Sequence, residues 1–274
     1  MGKPTIIIQA RMGSSRLPGK IFMPLPFGGK TTVLEQVYRR AAKVSGAEQV
    51  VIATTENGKD DIAAEWAESN NYLYYRGSED DVLDRFYRAA MKYDACPVIR
   101  ITADCPFIDS LLISDMLKVY TQSDADYMSN TYERTFPHGL DTEIFSFRSL
   151  KRAWEEAKLP PYREHVTPYM YMSGLFKCKN YKNEGAAPEE AKIRITLDTR
   201  EDYIVLCAVC ALLGEDFTHK ELAALFKTHG WLMMINEKIV QKKLYNNTEE
   251  EIADAVNLLL RQDMPNAAKK LMGS

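Results

Sequence analysis

Short apolar runs alternate with stretches of helical period along the first 120 residues, and few folds accept that rhythm. "TIIIQA" (5–10), "QVVIAT" (49–54), "YLYY" (72–75) and "VIRIT" (98–102) are brief and rich in β-branched or aromatic side chains, and each runs into a polar loop. Such runs predict buried strands. Between them, residues 34–44, 60–69, 79–93 and 110–120 space their apolar side chains as helices do; Ile62, Ala63 and Trp66, for instance, face away from charged neighbours. Strand and helix in strict alternation predict βαβ units and an α/β fold, a mostly parallel, Rossmann-like sheet flanked by helices. Sheets of that kind take their ligands at the carboxyl ends of the strands.

The rhythm changes after Ala125. "ADYMSN" (125–130) and "TEIFSF" (142–147) read as strands with no helix between them. A helix is expected over 148–157 and a Pro-interrupted one in "REHVTPYMYM" (163–172). "LFKCKNY" and "AKIRITLD" read as strands, and from Arg200 the pattern is helical almost to the end. The simplest division is an α/β domain over 1–205, carrying an inserted excursion over 125–190, followed by a helical extension over 206–274.

Composition narrows the ligand classes. With 35 Lys and Arg against 38 Asp and Glu the chain carries a net charge of −3, so a nucleic-acid partner is not expected and any anion site must be a local concentration of cations. No run of 18 or more apolar residues predicts a membrane span. "MGKPTIIIQA" lacks a signal-peptide core, and Ile6 breaks the myristoylation pattern. Five cysteines without a regular framework fit a reducing cytoplasm.

The most informative loop is "QARMGSSRLPGK" (9–20), which leaves the first strand at its carboxyl end. A plain turn needs one glycine and perhaps one polar residue. Here Arg11, Arg16 and Lys20 can surround an anion, and exposed N–H groups near Gly13 to Ser15 can form a concave nest for it, which suits a polyphosphate. A P-loop is excluded, because five residues separate Gly13 from Gly19 and Ile21 follows the lysine. "GGKTT" (28–32) lacks the first glycine and reads as a turn with Thr31 or Thr32 capping a helix.

Two later segments nearly match: "IRITAD" (99–104) and "IRITLD" (193–198). Each ends an apolar strand on aspartate. Asp104 and Asp198 either cap turns or stand on either side of a polyphosphate as ligands of magnesium, a hard cation that favours carboxylates and phosphate oxygens. Arg100 and Arg194 interrupt the same strands and either bind an anionic group or pair with a carboxylate. Asp124-Ala125-Asp126 matches the D-x-D of many glycosyltransferases and equally suits a solvated turn. Cys207 and Cys210 sit in an apolar helix and read as small hydrophobes.

"ARMGSSRLPGK", "TADCPFID" and "IRITLDTREDY" resemble the sugar-acid cytidylyltransferases, such as the CMP-KDO and acylneuraminate enzymes. "RGSEDDVLDRFYRA", "HGLDTEIFSF" and "REHVTPY" are similar to the spore coat polysaccharide biosynthesis branch. The resemblance spans about residues 4 to 205 and implies a nucleotidyltransferase fold, CTP as co-substrate, Mg2+ and often a homodimer. It implies nucleotide contacts at Ala10, Arg11, Met12, Gly13, Ser14, Arg16 and Lys20, with Arg11, Lys20 and Asp104 catalytic and Asp104 and Asp198 holding the metal. One departure, Ala103-Asp104-Cys105 in place of a Gly-Asp pair, bears on the acceptor more than on the reaction.

On that footing Thr54 borders the base. Ser78 and Arg85 are further nucleotide or substrate contacts, although Arg85 equally suits a pair with Asp81 one helical turn earlier. A small anionic acceptor would meet His138, Asp141, Glu143, Arg163, His165 and Arg194; His165 also suits a plain helix surface. Asp141 and Glu143, two apart, share a face of a strand, which is costly to bury unless it meets a cation, a metal or hydroxyls. The reaction expected is transfer of CMP to a sugar acid or a related, phosphorylated acceptor with release of pyrophosphate. A nucleotide-sugar glycosyltransferase relying on Asp124 and Asp126, and a non-catalytic nucleotide-binding subunit, stand beside it. Dimer contacts are expected in the 125–190 excursion.

Overall fold

The computed structural model describes residues 2–239 and 248–273. Seven strands form one sheet: β1 (Lys3–Gln9), β2 (Gln49–Thr55), β3 (Leu73–Gly77), β4 (Ala95–Thr102), β5 (Tyr127–Ser129), β6 (Glu143–Phe145) and β7 (Cys178–Asn180). Their order across the sheet is β3-β2-β1-β4-β6-β5-β7. All pairings are parallel except those of β6, which runs against both β4 and β5. The fold is the mostly parallel α/β sheet that the alternation predicts.

Burial follows the two-residue period of a strand. Ile6 and Ile8 of β1 pack into one face with Ile52, Ile99 and Ile101, while Ile7 joins Val51, Ala53 and Val98 on the other. Helices cover both faces. The first face carries α1 (Val33–Ala41), α2 (Asp61–Ser69) through Ala67, α4 (Ser110–Thr121), α8 (Arg200–Leu213) and α9 (His219–Thr228). The second carries α3 (Val82–Lys92), α5 (Phe147–Glu156) and α7 (Pro168–Met172), with α6 (Pro160–His165) beside α3. The helix starts are chemically marked. Thr32 accepts the Glu35 N–H, Asp81 the Asp84 N–H and Asp109 the Leu111 N–H, while Thr199 and Thr218 form capping boxes with Asp202 and Glu221.

Three expectations change. Residues 193–198 are not a strand: they make one isolated bridge, Arg194 beside His138, with His138 N–H donating to Ile193 O and Ile195 N–H to His138 O. The helix expected over 163–172 is two helices, α6 and α7. It breaks at Val166, which adopts φ 70°, and α7 restarts with Pro168 at its first position, where no N–H is needed. Finally, the compact unit does not stop at 205. Val205, Leu206 and Val209 of α8 and Leu222 and Leu225 of α9 belong to the core, and the unit runs Met1–Lys238, closing with α10 (Trp231–Asn236). A second unit, Ile239–Ser274, contains α11 (Thr248–Arg261) and α12 (Pro265–Met272), which pack on each other.

The antiparallel β6 sets the layout of the site. Because it runs backwards, the loop that precedes it, carrying residues 130–142, emerges at the carboxyl edge of the parallel strands, beside the loops after β1 and β4.

Candidate functional site

The loop after β1 is tied down from three sides. Met12 N–H donates to the Asp60 carboxylate at 2.5 Å, and Thr55 Oγ1 donates to the other Asp60 oxygen. Ser14 Oγ accepts the Leu17 N–H, and Gly19 N–H returns to Met12 O. Gly19 needs its missing side chain, since its φ of 71° is left-handed. That turn starts a 3-10 helix over Lys20–Phe22 and drives the Lys20 side chain inward.

Lys20 Nζ then meets three oxygens: Asp104 Oδ2 at 2.6 Å, Leu197 O at 2.7 Å and Asp198 Oδ1 at 2.9 Å. The two aspartates separated by more than ninety residues of sequence are thus brought onto one ammonium group. Their position is fixed by backbone bonding between their segments, with Leu197 N–H donating to Asp104 O. Asp104 Oδ1 accepts the Thr102 hydroxyl. Asp198 Oδ2 accepts Arg194 Nη2 at 2.9 Å and faces Arg16 Nη2 at 3.1 Å. Asp198 is not the cap of α8, a role that Thr199 fills.

The charges hold one another. Burial alone would lower the Lys20 pKa, but Asp104 and Asp198 outweigh it and the ammonium titrates above its ordinary value. Burial would raise Asp198, yet Lys20, Arg16 and Arg194 pull it down to about 2. Arg194 is anchored from behind by the fully buried Asp202, with Nε and Nη2 on its two oxygens at 2.8 and 2.9 Å. Asp202 also accepts the Asp198 and Thr199 N–H groups and Asn236 Nδ2.

Beside this network lie His138 and Asp141. Arg134 grips Asp141 with two bonds, at 2.6 and 3.0 Å, and holds its carboxyl below the usual range against the opposing effect of burial. Arg194 Nη1 lies 3.1 Å from His138 Nδ1. A guanidinium can only donate, so Nδ1 accepts and the proton sits on Nε2, 3.7 Å from Asp141 Oδ2. Burial keeps the His138 pKa below its ordinary value, and the ring is neutral at pH 7.

Several residues expected at the site turn away from it. Thr54 is fully buried, and its hydroxyl has no partner among the described residues. Arg85 is fully buried beneath the loop. It donates to Ser78 O rather than pairing with Asp81, and its Nε and Nη2 have no partner among the described residues. Burial and then the nearby Arg11 lower its pKa to about 10, so it stays a cation. Ser78 Oγ accepts the Asp81 N–H at the start of α3. Arg163 bonds to Asp81 and to Trp154 O, joining α6 to α3 and α5. Glu143 is met by a cation and two hydroxyls, Arg100, Tyr127 and Thr167, all within the fold. Arg100 and Arg194 both pair with carboxylates. His165 accepts the Thr167 N–H through its carbonyl. Ala10 is buried and bonds through its backbone to Ala53. By contrast Arg11, Gly13, Ser14 and Arg16 are at least partly open.

Arg134, Asp202 and Asp60 were not singled out from sequence. Asp202 was visible only as the fourth residue of a T-x-x-D capping pattern; nothing local marks the other two.

A divalent cation suits the donor chemistry of Asp104, Asp198 and Leu197 O, all hard oxygens. No group of three or more His, Cys, Asp or Glu able to hold a metal occurs among the described residues, so the remaining ligands would be water and phosphate oxygens.

The rival D-x-D motif lies elsewhere. Asp124 pairs with Lys177 Nζ, and Asp126 accepts the Lys177 N–H at 2.9 Å. Both precede β5, which runs parallel to β4, so they sit at the amino edge of the sheet, opposite the β1 loop. The described residues contain no helix long and apolar enough to cross a membrane.

A family model described as cytidylyltransferase matches residues 5–251. An uncharacterized protein of Methanocaldococcus jannaschii is 34% identical over 248 residues, 89% of this chain and 98% of that protein. The spore coat polysaccharide biosynthesis protein SpsF of Bacillus subtilis is 34% identical over 227 residues, 80% of this chain and 92% of SpsF. Among solved structures, a cytidylyltransferase from Leptospira borgpetersenii superposes with a TM-score of 0.78 at 35% identity, covering 90% of this chain and all of that one.

Proposed function

The chain belongs to the cytidylyltransferase family and is therefore a nucleotidyltransferase, and from this premise we propose that it transfers CMP from CTP to a small anionic acceptor, a sugar acid or a related phosphorylated sugar, with release of pyrophosphate. The observation that carries the proposal is the convergence of the cationic β1 loop with Asp104 and Asp198 at the carboxyl edge of the sheet. An oxygen of the acceptor forms a bond to the α-phosphorus as the bond from that phosphorus to the bridging oxygen of the β-phosphate breaks. Pyrophosphate leaves with that oxygen, and the acceptor proton passes to solvent.

In such a transfer positioning and charge neutralisation supply most of the rate. Arg11 and the N–H groups of Gly13 and Ser15 meet the phosphates, the Ser14 N–H being held by Met12 O, and Lys20 reaches them from beside Asp104 and Asp198. Asp104 and Asp198 hold Mg2+, which when bound would neutralise phosphate charge. Arg16 serves both the phosphates and Asp198. Arg85, buried near Arg11, adds positive charge behind the loop, while Thr54 and Ser78 stay within the fold. The acceptor lies toward the loop of residues 130–142, where Arg194, His138 and Arg134 supply positive and donor groups; His138, with its proton on Nε2, donates to an acceptor oxygen. The part of SpsF in spore coat polysaccharide biosynthesis supports an acceptor destined for a surface polysaccharide. The cysteines described are all free, which suits a reducing cytoplasm.

Incubation with each of the four NTPs, Mg2+ and pyrophosphatase, across a panel of sugar acids and phosphorylated sugars, tests the reading. Phosphate should appear with CTP only when an acceptor is present. Release that ignores the acceptor, or none with any nucleotide, would refute it.

A further inference from the structure

We propose that the Lys20 ammonium is the resident cation of the Asp104–Asp198 oxygen cage, and that it competes with a divalent metal for the cage until phosphates draw it away. This rests on the reading of the two aspartates as metal carboxylates given above.

The geometry is that of an occupied cation site. An ammonium has three N–H donors, and Lys20 spends each on a different oxygen, at 2.6, 2.7 and 2.9 Å. Two of these are carboxylate and one is a carbonyl, the set a hard metal ion takes from protein. The lysine side chain is only 10% exposed, so it is held in the cage rather than resting across its mouth. The outward oxygens are also engaged: Asp104 Oδ1 by Thr102, and Asp198 Oδ2 by Arg194 and Arg16.

Charge balance points the same way. In this network Lys20, Arg16 and Arg194 face Asp104, Asp198 and Asp202, three cations against three carboxylates. A divalent ion entering beside Lys20 would add two positive charges to a neutral cluster and find no oxygen free of a donor. A triphosphate changes this. Lys20 belongs to the same loop as Arg11 and Arg16, whose side chains are at least partly open to solvent, so an anion bound there offers it a second partner. Once Lys20 turns to phosphate, three oxygens and one net negative charge are left for a metal, with Asp104 the carboxylate that loses its cation. Nucleotide and metal then bind with positive coupling, each raising the affinity for the other by the same factor.

An ion pair that merely stabilises the fold predicts otherwise, since its removal creates no metal site. Mn2+ binding followed by electron paramagnetic resonance separates the two. Without nucleotide, Lys20→Met should bind Mn2+ about tenfold or more tighter than wild type, within the usual span of such couplings. Adding Asp104→Asn to Lys20→Met should abolish the gain. A non-hydrolysable CTP analogue should tighten Mn2+ binding to wild type by a larger factor than to Lys20→Met, because the variant gains only phosphate ligands whereas wild type also gains the vacated oxygens. Melting temperature gives a second readout, on Lys20→Met and Lys20→Gln alike: Mg2+ should raise it in both variants and not in wild type. Equal or weaker Mn2+ binding by Lys20→Met, or wild-type binding that is as tight without nucleotide as with it, would overturn the proposal. The nucleotide-free comparison contains no substrate, so it can fail while CMP transfer stands, and it can succeed if the transfer reading fails.

Discussion

Replacing Lys20 or Arg11 with alanine removes a cation from the β1 loop, and on the proposed reading each change should raise the barrier to transfer by about 3 kcal/mol, the scale of a lost charge-stabilising donor. Steady-state kinetics at saturating CTP checks this, and wild-type turnover in either variant would remove that residue from the reaction. Asp198 makes a separate prediction for acid stability. Its folded pKa, about 2, lies below the usual carboxylate value of 3.8. Its contribution, on the order of 2 kcal/mol, is therefore complete above pH 4 and is lost as the pH falls from about 4 through about 2. Wild type should lose melting temperature across that window more steeply than Asp198→Asn. The cationic loop and the two strand-end aspartates are legible in sequence because their chemistry is unusual for their local setting. Arg134 and Asp60 are not, because what they do depends on partners: Arg134 on Asp141, and Asp60 on the Met12 N–H forty-eight residues away. The same limit explains Glu143 and Arg163. Their residue types suit a ligand, and only the fold reveals that Arg100 and Asp81 already hold them.

Helix starts are readable where a short polar side chain precedes an apolar period, as at Thr32, since the cap is a local bond; at α8 the cap falls on Thr199, one residue past Asp198. The stretch 193–198 misled for a related reason. Its β-branched alternation suits a strand, but a strand also needs a neighbour, and these residues find only the bridge between His138 and Arg194. Their irregular course is useful: it lets Leu197 O and the Asp198 carboxylate both turn to Lys20. The capping box at α8 offers a control for the aspartate predictions. Thr199→Ala should cost about 1 kcal/mol of stability and leave turnover close to wild type, because Thr199, not Asp198, caps the helix. A large loss of turnover with an unchanged melting temperature would mean that the cap and the carboxylate are not separable.

The 125–190 excursion leaves Tyr132, Leu159, Met172 and Leu175 exposed, at 59%, 56%, 43% and 48%. Apolar side chains in such number suit a contact surface, and the chain is expected to sediment as a homodimer, at twice its 31.2 kDa. Leu159→Glu combined with Leu175→Glu should shift it to monomer in analytical ultracentrifugation; a wild-type monomer at micromolar concentration would rule the dimer out. The extent of the compact unit was the least legible feature of the chain. Helices α8 and α9 look like a tail in sequence and are core in three dimensions, since what recruits them is the uncovered face of the sheet. The reversed β6 has a consequence for how such an enzyme can change. On the proposed reading the donor nucleotide would meet the loop after β1 and the acceptor the segment feeding β6, two separate stretches of chain joined at the edge of the sheet through Arg194. Acceptor preference would then be a replaceable cassette: grafting residues 130–142 from a relative with a different acceptor should redirect specificity while leaving the KM for CTP unchanged.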